Sequence, residues 1–146
     1  MADVSGITTT PLSFPTFAVE ATVGPDGSVW MLTSSGKLGK IAPGGAYTEL
    51  PLPFGQPQGG AIIASGLATG IDGNLWITGL NGHIARVTPN GTATDFPIAA
   101  SFNGGDVSIV NGADDALWFL YPRSPATVKL GRIDIYGSVT TYDLGF

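Results

Sequence analysis

Short runs of alternating apolar and polar residues recur along the chain, and Asp-Gly, Asn-Gly, Gly-Gly and Pro pairs separate them. Alternation at a period of two turns one side of a run toward a core, and the bounding pairs supply the tight reversals that join neighbouring runs. Each run therefore reads as a β-strand. No segment sustains the apolar period of a helix, so the expected fold is all-β. In a first unit, Glu20 to Val23 is the inner strand, Val29 to Thr33 the second, Leu38 to Ala42 the third and Tyr47 to Leu52 the outer one. A second unit repeats this with Gly66 to Thr69, Leu75 to Thr78, His83 to Thr88 and Thr92 to Ile98. A third places Asp106 to Val110, Leu117 to Tyr121, Thr127 to Ile135 and Val139 to Leu144 in the same roles, with the loop Pro122-Arg-Ser-Pro125 lengthening its middle turn.

The units share one phrase around a tryptophan. Gly24-Pro-Asp26-Gly27-Ser-Val29-Trp30 returns as Gly70-Ile-Asp72-Gly73-Asn-Leu75-Trp76 and as Gly112-Ala-Asp114-Asp115-Ala-Leu117-Trp118. The steps between tryptophans are 46 and 42 residues, the spacing of propeller blades, which take about 40–50 residues and four strands each. The expected organisation is one propeller-forming domain over 1–146: a leading outer strand at 1–15, blade 1 at 16–53, blade 2 at 54–99 and blade 3 at 100–146. Thr10-Pro-Leu12-Ser-Phe14-Pro15 matches Thr48-Glu-Leu50-Pro-Leu52-Pro53, the end of blade 1, so the leading segment reads as an outer strand without a blade of its own. Propellers commonly close their ring by lending a terminal strand to the blade at the other terminus.

Three blades leave two blade faces open, because a closed propeller takes roughly 4–8 of them. Open apolar faces of that kind are rarely tolerated in a monomer. The expected partner is therefore the chain itself, joined head to tail; a dimer of six blades is favoured and a trimer of nine is the alternative. The remaining alternative is that the chain is part of a longer propeller.

Composition sharpens this picture in only a few places. Charged residues make up 12% of the chain, against about 25% in typical soluble domains. Either part of the surface is buried against partner chains, or Thr, Ser, Asn and Gly coat it. The net charge of −5 and six scattered Lys and Arg argue against a nucleic-acid partner. No run approaches the ~18–20 apolar residues of a membrane span, and the Met1-Ala-Asp-Val start lacks the basic and apolar regions of a signal peptide. A soluble protein with no membrane partner is expected, its compartment left open. The absence of cysteine removes disulfides and thiolate sites from consideration.

Few residues offer chemistry. His83 is the single histidine and sits on a third strand after Asn81-Gly82, where a structural or solvent-facing role is expected; one histidine does not make a zinc site. Asp26, Asp72 and Asp114 recur at one repeat position, joined by Asp115, and read as turn residues that bond their own backbone rather than as a ring of carboxylates. Gly55 to Gly60 and Gly104-Gly105 lack the Lys-Ser/Thr and helix of a phosphate loop. Trp30, Trp76 and Trp118 would suit sugar stacking, but their place among apolar residues in second strands makes them packing residues between blades. Glu20 and Asp106, on inner strands, are the candidates for lining an axial channel and binding a cation there.

With Gly39-Lys40-Ile41-Ala-Pro43-Gly44-Gly45 and Thr48-Glu49-Leu50-Pro51 following Trp30-Met-Leu-Thr33, and with Ala85-Arg86-Val87-Thr88-Pro89-Asn90-Gly91 and Thr94-Asp95-Phe96-Pro97 as a second copy, the repeat resembles the streptogramin B lyase family. The resemblance implies seven-bladed propellers that open a cyclic depsipeptide by elimination, using a histidine acid/base and a magnesium ion held by glutamate. The positions matching the family's inner-strand histidines are Val19, Ser65 and Val107, and those matching its glutamate are Thr33, Gly79 and Tyr121. The expectation is thus a propeller with the family's blades and without its chemistry: no enzyme, no catalytic residue, no metal and no cofactor. A non-catalytic structural or binding module in a homo-oligomeric assembly, such as a virion or appendage component, is the expected function. A lyase-like enzyme and a carbohydrate-binding propeller are the alternatives, and the ligand is left open.

Overall fold

A computed structural model describes residues 17–52, 64–79, 82–98, 107–124 and 127–144. The expected leading strand, Asp106, Asn81 and the run from Gly55 to Gly60 lie outside these residues. Twelve strands are described. The first sheet holds β1 (Ala18–Val23), β2 (Val29–Thr33), β3 (Lys37–Ile41) and β4 (Tyr47–Pro51); the second holds β5 (Ala64–Thr69), β6 (Leu75–Gly79), β7 (His83–Val87) and β8 (Ala93–Pro97). The third holds β9 (Ile109–Asn111), β10 (Ala116–Ser124), β11 (Thr127–Asp134) and β12 (Val139–Asp143). Each is an antiparallel meander of four strands in chain order. The register is the same in all three, since Trp30 faces Lys40, Trp76 faces Arg86 and Trp118 faces Arg132 across the second and third strands.

Turn chemistry accounts for the meanders. Gly27 and Gly73 hold φ of 73° and 72° in the turn between first and second strands, a conformation that costs glycine little. The third unit places Asp115 there at φ 57°, and Asp is among the few residues that visit this region without a glycine's freedom.

Two details differ from the sequence expectation. Of the expected inner strand from Asp106 to Val110, the described Val107 and Ser108 stand outside β9, which begins at Ile109; the Val107 N–H and C=O are taken by hydroxyls of the second sheet. Pro122 to Ser124 does not form a widened turn either. The ladder continues through Pro122 opposite Val128 and Ser124 opposite Thr127, with a register shift between Pro122 and Ser124, as expected where a proline interrupts pairing and a bulge absorbs it.

The inner strands β1, β5 and β9 lie side by side, so the three sheets fan out from a common edge. Each sheet has a back face, carrying its tryptophan, and a front face toward the preceding sheet. Trp30, Leu32 and Leu38 from the back of the first sheet pack on Leu67, Leu75, Ile77 and Ala85 from the front of the second. One step on, Trp76 and Ile84 pack on Val107, Ile109, Leu117 and Phe119 of the third. The second sheet is thus covered on both sides, and β6 is buried along its whole length. By contrast, β1 is exposed or half-buried throughout. Among the described residues no helix is long and apolar enough to cross a membrane.

Candidate functional site

The repeated aspartates do more than shape a turn. Asp72 Oδ1 accepts the Asn74 N–H at 3.2 Å and also the Trp76 indole N–H at 3.1 Å. Asp114 accepts the Trp118 indole N–H at 3.0 Å. An Asp four residues before a Trp, across a tight turn, thus fixes the indole from its polar edge. Sequence reasoning found the turn and missed the anchor, although the Asp-x-x-x-Trp spacing carries it. Gly70 belongs to the same device, and Gly24 makes the same close approach in the first unit, since a Cβ at either would lie 2.6 Å from the indole nitrogen.

The first unit departs from this pattern. Asp26 binds Ser28 through its N–H at 3.1 Å and its hydroxyl at 2.9 Å, and pairs with Lys40 at 2.7 Å. The Trp30 indole nitrogen is buried without a partner. Hydrogen bonding to Lys40, helped by Ser28, holds the Asp26 carboxyl far below the usual carboxylate range. A carboxyl depressed on folding contributes stability that is fully present above its unfolded pKa of about 4 and is lost as the pH falls toward the folded value. Glu49 is lowered chiefly by Lys37, Asp114 by the Trp118 indole and then Arg132, and Asp134 by the Ser138 N–H, so they act with the same sign. The thermal midpoint should therefore fall as the pH drops from about 5 to about 2. Asp26→Asn should flatten that limb in calorimetry; wild-type and variant curves running parallel through the acid range would disprove the assignment.

On the inner strands, side chains are occupied with the neighbouring sheet. Glu20 reaches across to accept the Leu67 N–H at 2.9 Å, which ties the expected channel-lining carboxylate to the second sheet's backbone. Ser65 Oγ accepts the Val107 N–H at 2.8 Å and donates to the Val107 carbonyl at 3.2 Å, which also accepts the Thr78 hydroxyl at 2.6 Å. Thr69 donates to the Val23 carbonyl at 2.7 Å, and Asn111 to the Thr69 carbonyl at 2.5 Å. Val19 is exposed, Val107 is buried, and Tyr121 is buried against Phe119. Among the described residues no group of three His, Cys, Asp or Glu side chains is arranged to hold a metal ion.

His83 has a clear local role. Its Nδ1 lies 2.8 Å from Asp95 Oδ2; the first sheet holds Lys37 with Glu49 at 2.6 Å in the same place, and the third holds Lys129 at the matching third-strand position, paired at 2.5 Å with Asp143 directly opposite it, two residues beyond the counterpart of Glu49 and Asp95. One cross-strand pair thus ties third to fourth strand in every blade, a recurrence that the sequence reading missed.

A second recurring cation joins blade to blade. Lys40 Nζ sits 4.7 Å above the Trp30 ring and donates to the Pro89 carbonyl of the next sheet at 3.4 Å. Arg86 lies 5.8 Å over Trp76 and donates to the Ile135 carbonyl at 2.8 Å. Arg132 holds the equivalent place beside Trp118, bonded to Asp114 at 2.6 Å. Trp118 itself differs from the other two tryptophans: it is half-buried, stacked on Tyr142 at 5.6 Å, on the back of the third sheet, which no described sheet covers. It borders an open cleft of about 300 Å³ that Val110, Leu120 and Leu130 also line.

Comparison with known proteins gives these repeats a lineage. The sequence profile of the virginiamycin B lyase family matches residues 6–146. The chain belongs to the virginiamycin B lyase family. Its fold is similar to that of selenomethionine-substituted virginiamycin B lyase from Staphylococcus aureus, at 31% identity and a TM-score of 0.75, covering 92% of this chain and 44% of that one. A streptogramin B lyase structure matches at 30% identity and a TM-score of 0.70, over 86% of this chain and 40% of the other. A catalytically inactive virginiamycin B lyase variant from Staphylococcus aureus, with quinupristin, matches in fold at 22% identity and a TM-score of 0.61, over 94% of this chain and 60% of that one. The chain thus spans less than half the length of the first two virginiamycin B lyase structures, and its three sheets correspond to part of their propeller. A search of curated protein sequences gives no match.

Proposed function

We propose that this chain is a non-catalytic propeller module with a structural or binding role in a homo-oligomeric assembly, of the kind that virions and appendages employ. The observation that carries this reading is the occupation of the inner-strand positions. Resemblance to the lyases implies a histidine there, and general acid–base catalysis needs a group that exchanges a proton near neutral pH. Val19 and Val107 have no ionisable group, and the Ser65 hydroxyl is engaged with the Val107 backbone. The described inner strands β1, β5 and β9 carry no histidine, so copies of them bring none together. His83, the sole histidine, pairs with Asp95 in the outer half of the second sheet.

The test uses the ligand found with the inactive lyase variant. Wild-type chain and His83→Ala are incubated with quinupristin and magnesium, and cyclic and linear forms are separated by chromatography. Neither should convert the antibiotic faster than buffer does. Turnover by the wild type would overturn the reading, and its loss in His83→Ala would locate the chemistry.

A further inference from the structure

The two described junctions follow one rule, and the two sheet faces that no described residue covers obey it as well. At each junction a cation beside the tryptophan reaches a carbonyl in the turn between third and fourth strands of the following sheet: Lys40 to Pro89, then Arg86 to Ile135. By strand register the next donor is Arg132, on the back of the third sheet. The matching acceptor, one repeat before Pro89, is the carbonyl of Pro43, in the corresponding turn of the first sheet. Near the common edge Thr22 meets Thr69, with hydroxyl oxygens 3.3 Å apart. The same register places Val110 and Val23 as the next such pair. Both valines are exposed, at 59% and 64%.

We infer that the back of the third sheet of one copy docks on the front of the first sheet of a second copy, with Arg132 of the one donating to the Pro43 carbonyl of the other. This deepens the homo-oligomeric reading above and rests on it. Continuity with the internal junctions names the occupant, because a face shaped like the back of a blade accepts the front of one. Trp118, Val110 and Leu120 would receive Val23 and Val29, an apolar match of the type that covers Trp30 and Trp76. Arg132 can keep Asp114 while it does so, as Lys40 bonds Asp26 and Pro89 together. Val23 has no side-chain donor, so its contact with Val110 is apolar where Thr69 and Asn111 make hydrogen bonds. The two faces lie at opposite ends of the three described sheets. Two copies joined this way at both ends give six blades, within the usual range of about 4–8 for a closed ring.

The absence of cysteine makes the geometry testable by cross-linking. Val23→Cys and Val110→Cys chains are made separately, mixed and oxidised mildly with oxidised glutathione. A disulfide requires Cβ atoms about 3.5–4.5 Å apart, so the mixture should yield a disulfide-linked species containing one chain of each kind, while either variant alone should not. The native mass of unmodified chain, measured in parallel, should be twice that of the monomer. Arg132→Ala should raise the dissociation constant about tenfold or more, since it removes a charge-assisted hydrogen bond, and Arg132→Lys should restore most of the affinity. A dimer in which Val110→Cys links only to itself would overturn this junction and leave the oligomer standing. A dimer whose affinity ignores Arg132→Ala would remove the cation from the junction. A monodisperse monomer at micromolar concentration would overturn both the junction and the homo-oligomeric reading.

Discussion

Trp76→Ala should lower the free energy of unfolding by about 3–5 kcal/mol, the range for truncating a large buried aromatic. Trp76 is fully buried between the second and third sheets. Its ring stacks on Phe96 at 5.6 Å, carries Arg86 above it and hydrogen-bonds Asp72 through the indole N–H. Alanine therefore leaves a cavity bounded by two sheets, neither of which can collapse without moving the other. Trp118→Ala supplies the contrast. That indole is half-buried on an uncovered face, so in the dissociated chain its loss should cost roughly half as much or less. Urea denaturation of both variants at the same low concentration separates the cases. Equal losses would mean that the back of the third sheet is covered, and a Trp76→Ala loss below about 1 kcal/mol would contradict its placement between blades.

The second large effect comes from a position with no side chain at all. A Cβ on Gly66 would lie 2.5 Å from Thr78 Oγ1 and 3.1 Å from the Ile109 nitrogen, and inside hard contact with the Val107 carbonyl oxygen. Two of these three are backbone atoms of the next sheet, which no rotamer change can remove. Gly66→Ala must therefore separate β5 from the segment entering β9 and weaken the hydroxyl bonds from Ser65 and Thr78 to Val107. Overpacking costs about 1–3 kcal/mol, and each lost hydrogen bond about 1 kcal/mol more, so a loss of about 3 kcal/mol or more is expected. Gly44→Ala is the control, because a Cβ there meets nothing within 4 Å. Should the two substitutions give the same urea midpoint, the close approach of the inner strands is wrong.

Why some of this was legible in the sequence and some was not follows from how far each signal travels. Strand order and turn positions depend on residues within one repeat, where alternation and Asp-Gly pairs act directly, and the apolar flanks of Trp30 and Trp76 mark them as packing residues even though the next sheet supplies the cover. The inter-blade contacts depend on residues one repeat apart. Lys40 to Pro89 and Arg86 to Ile135 span 49 positions each, and nothing local in Lys-Ile or Arg-Val marks them as junction donors. Glu20 illustrates the same limit: on an inner strand its carboxylate reads as facing the axis, yet the Leu67 N–H draws it sideways. His83 stands out in the sequence as the single histidine, and only the Lys37 and Lys129 pairs reveal its position as one from which a third-strand side chain bonds a carboxylate of the fourth strand. The extended hairpin at Pro122 was misread because proline signals a turn, although on a bulged strand it is tolerated.

The fan arrangement, in which β5 touches both β1 and β9, makes the chain a one-dimensional array of three units. In such an array stability is close to a sum of unit terms and nearest-neighbour terms. Among the described residues the middle sheet has two neighbours and each end sheet one. Head-to-tail closure would give every sheet the surroundings of the middle one, so the free energy that holds copies together would be of the same kind, per junction, as that which holds a single chain folded. Folding and assembly would then be one equilibrium, and the melting temperature of this protein would rise with its concentration.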